Sequence, residues 1–322
     1  MPSGIKNILV AGAGALGSGI GGMLGCGGHR VTFLGRPAHM NRVKQNGLNI
    51  SGIWGAHHAT GIQTATDPKQ ITETQDVVLI TVKSFHTKEM IQSIRDLIHP
   101  DTLVVSLQNG VGNEEIIEAS VGAEQTIGGM VIIGFEVPTP GRVTVTVQAD
   151  SVKLGRLNGT PSAGADQLAE IFRDASIPCE SVTNIRSWLW AKVLYNSALN
   201  PLGAILRVPY GKLTAPDSWN VIERLITEAF ACLNREGIKT FWKTPDEYLA
   251  HLHDTQVPAT AAHHASMLQD IRRGSRTEID FINNAIVRLG DKHAIPVPVN
   301  RTLVSIIKSL ENNPHSLTEA ES

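Results

Sequence analysis

The chain predicts an α/β protein of two domains, in which alternating strands and helices give way near residue 183 to helices alone. Three observations carry that expectation. Apolar, partly β-branched runs of strand length recur in the first half, at Ile5–Ala11, Arg30–Leu34, Asp76–Val82 and Thr102–Leu107. A glycine-rich turn, Gly12-Ala13-Gly14-Ala15-Leu16-Gly17, follows the first of them directly. Beyond a last strand at Ile177–Val182, the stretches 186–200, 217–236, 245–252, about 259–290 and 299–311 are patterned as helices. The domains are therefore expected at 1–183 and 184–322.

Composition fits this plan. With 322 residues, 18% of them charged and 42% hydrophobic, the chain has an ordinary globular balance and no disorder signature. A net charge of −2 offers no basic excess for nucleic acid or an anionic membrane surface. Cys26, Cys179 and Cys232 are odd in number, scattered and free of zinc spacing, which suits a reducing, cytoplasmic compartment. Asn7 to Gly28 carries no charge over 22 residues, but nine of them are glycine. That clustering reads as strand, turn and helix, not as a membrane anchor.

The first elements define a cofactor site. Strand, glycine turn, small-residue helix and the strand Arg30–Leu34 place a G-x-G-x-x-G inside a βαβ unit, the fingerprint of Rossmann-type dinucleotide-binding domains. Gly12 allows the tight turn, Gly14 lets backbone approach a pyrophosphate, and Gly17 lets the helix lie close to the sheet. The free N–H groups of the helix N-terminus face the phosphates. The second strand ends in Leu34-Gly35-Arg36-Pro37, without the acid that holds the ribose hydroxyls of NAD. Arg36 suits a 2′-phosphate, so NADP (NADPH) is the expected cofactor; the alternative is a solvated surface arginine.

Short alternating runs follow at Leu48–Ile53 and His58–Thr66. Asp76–Val82 ends at Lys83-Ser84 with a helix through Ile98, and Thr102–Leu107 ends at Gln108-Asn109-Gly110-Val111-Gly112. Ligands bind at the carboxyl ends of strands in open α/β sheets, which makes Lys83 and Asn109 site candidates. A helix-start lysine and a turn asparagine are the plain alternatives. Gly128–Val137 and Arg142–Leu154, joined by a turn at Pro138–Gly141, read as further strands that extend or cap the sheet, and Ala163–Ala175 as a helix.

The most telling stretch opens the second half. Between Trp188 and Leu199 an almost wholly apolar helix carries Lys192 and Asn196, with Asn200 just beyond. Steps of four drift by only about 40° on a helix, so these three polar residues line one stripe. Unpaired buried polar groups cost several kcal/mol, so the stripe is either an internal hydrogen-bond network or the wall of a polar ligand site. Ser266 and Glu278 are further outliers, roughly 120° apart if one unbroken helix held both. By themselves they read as an ordinary helix serine and a surface glutamate paired with Arg272 or Arg276. His57-His58 and His263-His264 lack metal-ligand spacing, no GxSxG is present, and no metal is expected.

Together these pieces resemble the ketopantoate reductase (2-dehydropantoate 2-reductase) family, within the 6-phosphogluconate dehydrogenase-like two-domain reductases. The likeness is carried by Gly12–Gly17, Thr81-Val82-Lys83-Ser84, Gln108–Gly112, Trp190–Leu202 with its lysine and asparagines, Ser266–Asp270 and Arg276–Asp280. The resemblance implies an oxidoreductase that reduces 2-dehydropantoate to (R)-pantoate in pantothenate and coenzyme A biosynthesis. Under it, Gly12, Ala13, Gly14, Ala15, Leu16, Gly17 and Arg36 hold NADPH, and Lys83 and Asn109 sit by cofactor and substrate. Lys192 is the general acid, Asn109, Asn196, Asn200 and Ser266 bind the substrate, and Glu278 supports Lys192 and the ribose. A lysine ammonium near the ketone oxygen would stabilise the charge that develops there and deliver the proton. The alternatives are another branched 2-oxo acid as substrate or a non-catalytic NADP-binding sensor. The expected partner is this small 2-oxo acid, with neither nucleic acid nor membrane, and the long helices of the second half could form a homodimer face.

Overall fold

The computed structural model describes Gly4 and Lys6–Asn313; Ile5 and the outermost residues of both expected domains lie outside the described residues. The chain divides into two compact units, the first reaching Gln108 and resuming over Asn113–Ile185, the second comprising Asn109–Gly112 and everything from Arg186.

Among the described residues, the first unit contains every strand. In order these are β1 (Asn7–Ala11), β2 (Arg30–Leu34), β3 (Leu48–Gly52), β4 (His57–Ala59), β5 (Gln63–Ala65), β6 (Val77–Ile80), β7 (Leu103–Ser106), β8 (Thr126–Met130), β9 (Ile133–Glu136), β10 (Arg142–Gln148), β11 (Val152–Gly155) and β12 (Cys179–Ser181). Between them lie α1 (Ala15–Cys26), α2 (Pro37–Asn46), α3 (Thr87–Ser93), α4 (Asn113–Val121) and α5 (Ala163–Asp174). Eight strands form one sheet in the order β12-β11-β8-β7-β6-β1-β2-β5. All neighbours in it are parallel except β8 and β11. Val78, Leu79, Val104 and Val105 have no exposed surface, as the continuous apolar runs demand of strands covered on both faces. The strand order reverses beside β1, where β2 and β6 flank it, and such a switch point opens a crevice at the strands' carboxyl ends.

A second sheet, β4-β3-β10-β9, was not legible in the sequence. The expected strands 128–137 and 142–154 each break in two, and their inner halves leave the main sheet to pair with each other and with β3. Helix α1 packs between these sheets, which explains its glycines. A Cβ at Gly21 would stand 2.6 Å from Phe33 of the main sheet, and one at Gly22 would stand 2.6 Å from Leu48 of the small one.

The second unit is helical: α6 (Ile185–Leu206), which starts at the boundary, α7 (Pro216–Glu236), α8 (Pro245–His251), the short α9 (Val257–Ala259), α10 (Ser266–Arg272), α11 (Asn283–His293) and α12 (Pro298–Asn312). Two expectations fail. Helix α6 runs six residues past Asn200, straight through Pro201. A proline there strips the Ser197 carbonyl of its helical donor. The buried Asn283 amide replaces that donor at 3.1 Å, and the same amide nitrogen reaches Asn300 at 3.1 Å. The Asn300 amide in turn donates to the Leu225 carbonyl at 3.0 Å, tying α6, α11, α12 and α7 together.

The single helix expected over 259–290 is instead three pieces. Carbonyls of Ala261 and His263 accept from Gly211 (2.9 Å) and Tyr210 (3.0 Å) instead of continuing a helix, and Gly274, at φ +61°, turns the chain after α10. Among the described residues no helix is long and apolar enough to cross a membrane.

Candidate functional site

The glycine turn sits at the carboxyl end of β1 and is held there from both neighbours. Gly12 and Ala13 each donate from the backbone to the Leu34 carbonyl at 3.0 Å, and Thr81 Oγ1 donates to the Gly12 carbonyl at 2.9 Å. Gly12 has φ +108°, and a Cβ on it would stand 2.5 Å from the Val82 nitrogen, so only glycine fits. Gly17 is equally closed, its Cβ position lying 2.5 Å from Thr81 Oγ1. Gly14 differs: the nearest atom to its missing Cβ is 3.9 Å away. Space at Gly14 coincides with the start of α1, which has neither a side-chain cap nor an acid in its first turn. Ala15 and Leu16 continue that first turn. An uncapped helix end beside open backbone is the chemistry that holds a pyrophosphate.

Arg36 is exposed at the end of β2, two residues beyond the Leu34 carbonyl that anchors the turn. Lys83 is half-buried at the end of β6 and precedes a 3₁₀ turn at Ser84–His86. All the expected cofactor residues of the first unit thus gather at the carboxyl ends of β1, β2 and β6. A polar network braces this edge: the buried Gln108 amide donates to the Val82 carbonyl and to Thr87 Oγ1, both at 2.8 Å, and Thr87 donates to Asn113 at 2.9 Å. Beside Asn113, Glu114 is fully buried, and neither carboxyl oxygen makes a well-formed hydrogen bond among the described residues, the Ser106 hydroxyl being a weak neighbour at most. Burial pushes this carboxyl up to about 8.

The remaining candidates meet in the second unit. Asn109 donates to Glu278 Oε2 at 3.0 Å, although 169 residues separate the two. The tetrapeptide that carries Asn109 is laid against a short 3₁₀ turn, Ile279–Phe281: Val111 donates to the Phe281 carbonyl at 3.0 Å. Gly110, at φ +84°, has no room for a side chain, since a Cβ would lie 2.4 Å from that carbonyl. Neighbours pin the Glu278 segment. Thr277 donates from its backbone to Glu311 at 2.8 Å, and Asp280 pairs with Arg276 at 2.7 Å and Lys308 at 2.6 Å. Glu278 is therefore buried and not the surface glutamate that its own neighbourhood in sequence suggested. Folding over a break at Gly274 is what the helical angle between Ser266 and Glu278 could not capture.

On α6, Lys192 is half-buried while Asn196 and Asn200 are buried. Burial lowers the Lys192 ammonium to about 8, and the charge of Glu278 acts against that fall. Near neutral pH Lys192 is still mostly charged, yet a far better proton donor than a free lysine. Asn200 donates to Asn196 Oδ1 at 3.2 Å, and its own Oδ1 accepts from Tyr210 at 3.0 Å and from Ser266 at 3.5 Å. The far end of the stripe is the internal network that one reading expected, and at its near end an ammonium feels the charge of a carboxylate. Tyr210 had no sequence signal, because it follows a helix end at Arg207 (φ +58°) that breaks the periodicity.

Comparison with known proteins bears on the family and the fold. The model of a family described as ketopantoate reductase PanE/ApbA matches residues 8–159, and the C-terminal model of the same family matches residues 184–311. The 2-dehydropantoate 2-reductase of Aquifex aeolicus is 34% identical over 95% of this chain and 97% of its own length. The solved PanE/ApbA family ketopantoate reductase from Ralstonia eutropha JMP134 is similar at a TM-score of 0.86 and 30% identity, covering 96% of this chain and 99% of that one. D-mandelate dehydrogenase, solved with NADH and anilino(oxo)acetate, is similar at a TM-score of 0.87 and 28% identity, again over 96% and 99% of the two chains.

Proposed function

We propose that this chain, which belongs to the ketopantoate reductase family, reduces 2-dehydropantoate to (R)-pantoate with NADPH, Lys192 serving as the general acid. The observation that carries the reading is Lys192 itself: an ammonium lowered to about 8 by burial, on one helix with two buried asparagines and under the influence of Glu278. The residues of the first unit fit a nicotinamide dinucleotide: Gly12–Gly17 with open backbone at Gly14 for the pyrophosphate, Arg36 for a 2′-phosphate, and Lys83 beside them. When bound, the reduced nicotinamide supplies the hydride that the ketone carbon receives.

The chain's own groups do the rest. As charge develops on the ketone oxygen, the Lys192 ammonium stabilises it and releases a proton to it, leaving a neutral amine. Glu278, oriented by the Asn109 amide, keeps Lys192 protonated until that moment. Asn196, Asn200 and Ser266 offer hydrogen bonds to the carboxylate and hydroxyl of the substrate without adding charge. Three free cysteines are consistent with a cytoplasmic enzyme of this kind, and a homodimer remains part of the expectation.

A second reading is favoured by one finding. The likeness to a D-mandelate dehydrogenase solved with NADH supports a reductase of another 2-oxo acid, with Arg36 incidental to the cofactor. Steady-state reduction of ketopantoate and related 2-oxo acids, each with NADPH and NADH, separates the two. Under the main reading ketopantoate with NADPH exceeds a kcat/KM of about 10⁴ M⁻¹s⁻¹. Strong turnover of a different acid, or preference for NADH, would transfer the argument to the second; NADPH binding without turnover of any acid would favour a sensor.

A further inference from the structure

The carbonyl of Asn200 faces two hydroxyls, and that arrangement decides which way the amides of α6 point. Tyr210 is 2% exposed. Its ring reaches the helix because Gly203 has no side chain: a Cβ there would lie 3.2 Å from Tyr210 Cε1. Edge contact with Tyr195 at 6.0 Å and a tilted contact with His263 at 5.4 Å fix the ring plane. From this seat the phenol donates to Asn200 Oδ1 at 3.0 Å, and Ser266 adds a longer donation at 3.5 Å to the same oxygen. Asn200 Nδ2 is thereby turned toward Asn196 and donates to its Oδ1 at 3.2 Å. The reversed chain, with both amides flipped, would leave the buried phenol hydrogen without that acceptor, a penalty a native interior avoids.

Resting on the reading of this site as a 2-oxo acid reductase, we propose that Tyr210 is a positioning residue that sets hydrogen-bond polarity along the stripe. Through Asn200 it commits the Asn196 oxygen inward and leaves the two Asn196 N–H groups, one helical turn from Lys192, to meet an anionic oxygen of the substrate. Two neutral donors near an ammonium suit a carboxylate and repel nothing, whereas an outward Asn196 oxygen would oppose one. The aromatic ring also explains why a tyrosine serves here: it holds the donating oxygen at a fixed reach from a rigid seat.

The test is Tyr210→Phe, which keeps every ring contact and deletes one oxygen. Thr260→Val, which removes the hydroxyl partner of neighbouring Tyr195, is the control within the same aromatic cluster. The account expects the KM of whichever 2-oxo acid the wild-type enzyme turns over best to rise roughly ten-fold or more in Tyr210→Phe, the worth of a hydrogen bond to a charged group. It expects kcat and the KM for NADPH to stay near wild type, the thermal midpoint to fall by no more than the loss of one buried hydrogen bond explains, and Thr260→Val to leave KM unmoved. An unchanged KM in Tyr210→Phe, an equal rise in Thr260→Val, or a loss confined to stability would overturn the proposal and leave the reductase reading standing. A wild-type protein that reduces no 2-oxo acid would sink both.

Discussion

Helices α1 and α6 are both buried, and they are built in opposite ways. Along α1, glycine, alanine and serine shrink the surface until two sheets can close on it, and what the helix offers to a ligand is backbone N–H at its uncapped start. Along α6, Leu189, Trp190, Leu194 and Leu199 fill space, and what it offers is side chains: Lys192, Asn196 and Asn200 on one stripe. The contrast separates two ways of making a site inside a protein. Backbone donors come without desolvating a charge but require that side chains be absent. Side-chain donors bring protons and charge, and each must be satisfied or aimed.

The contrast breaks most sharply at Gly17. A Cβ there would meet Thr81 Oγ1 at 2.5 Å and the Gly12 carbonyl at 2.7 Å, so Gly17→Val should cost the first unit about 3 kcal/mol or more by overpacking. Urea unfolding checks this; a variant as stable as wild type would mean the close approach is not needed.

A smaller effect sharpens the other half of the comparison, because not every buried ionisable group here is aimed. Glu114 makes no well-formed side-chain hydrogen bond among the described residues, and burial, only partly opposed by the nearby Ser106 hydroxyl, raises its carboxyl to about 8. The folded state therefore holds that proton more tightly than the unfolded chain. The resulting stability is fully present below pH 4.5, where both states are protonated, and is lost as pH rises to about 8. Glu114→Gln, which mimics the protonated form, should flatten this slope between pH 5 and pH 8 in denaturant titrations. An unaltered slope would show that Glu114 does not carry it.

What the sequence reveals follows the range of the interactions. The glycine turn was legible because it is local: strand, three glycines and helix are contiguous. The α6 stripe was legible because one helical period generates it. Its continuation through Pro201 was not, since the Asn283 amide that makes it tolerable comes from 86 residues away. Nor was the division of strands between two sheets, because Arg142–Gln148 could pair with either neighbour until β3 supplied a partner. Glu278 read as a surface residue from its charged neighbours, yet Arg276 is engaged by Asp280 and Glu278 by Asn109. The family resemblance brought those residues together before any pattern in the chain could.

The central claim concerns one proton, and the pH dependence of kcat for ketopantoate reduction tests it most directly, with Lys192→Ala measured beside wild type. With Lys192 as the acid near 8, wild-type kcat should be level below about pH 7.5 and fall about ten-fold per unit above about pH 8.5, as the ammonium is lost. Lys192→Ala should lose roughly 10²–10⁴-fold in kcat and show no such break, while folding and binding NADPH as before. Wild-type-like turnover in Lys192→Ala, or the same break at pH 8 without the lysine, would contradict the account.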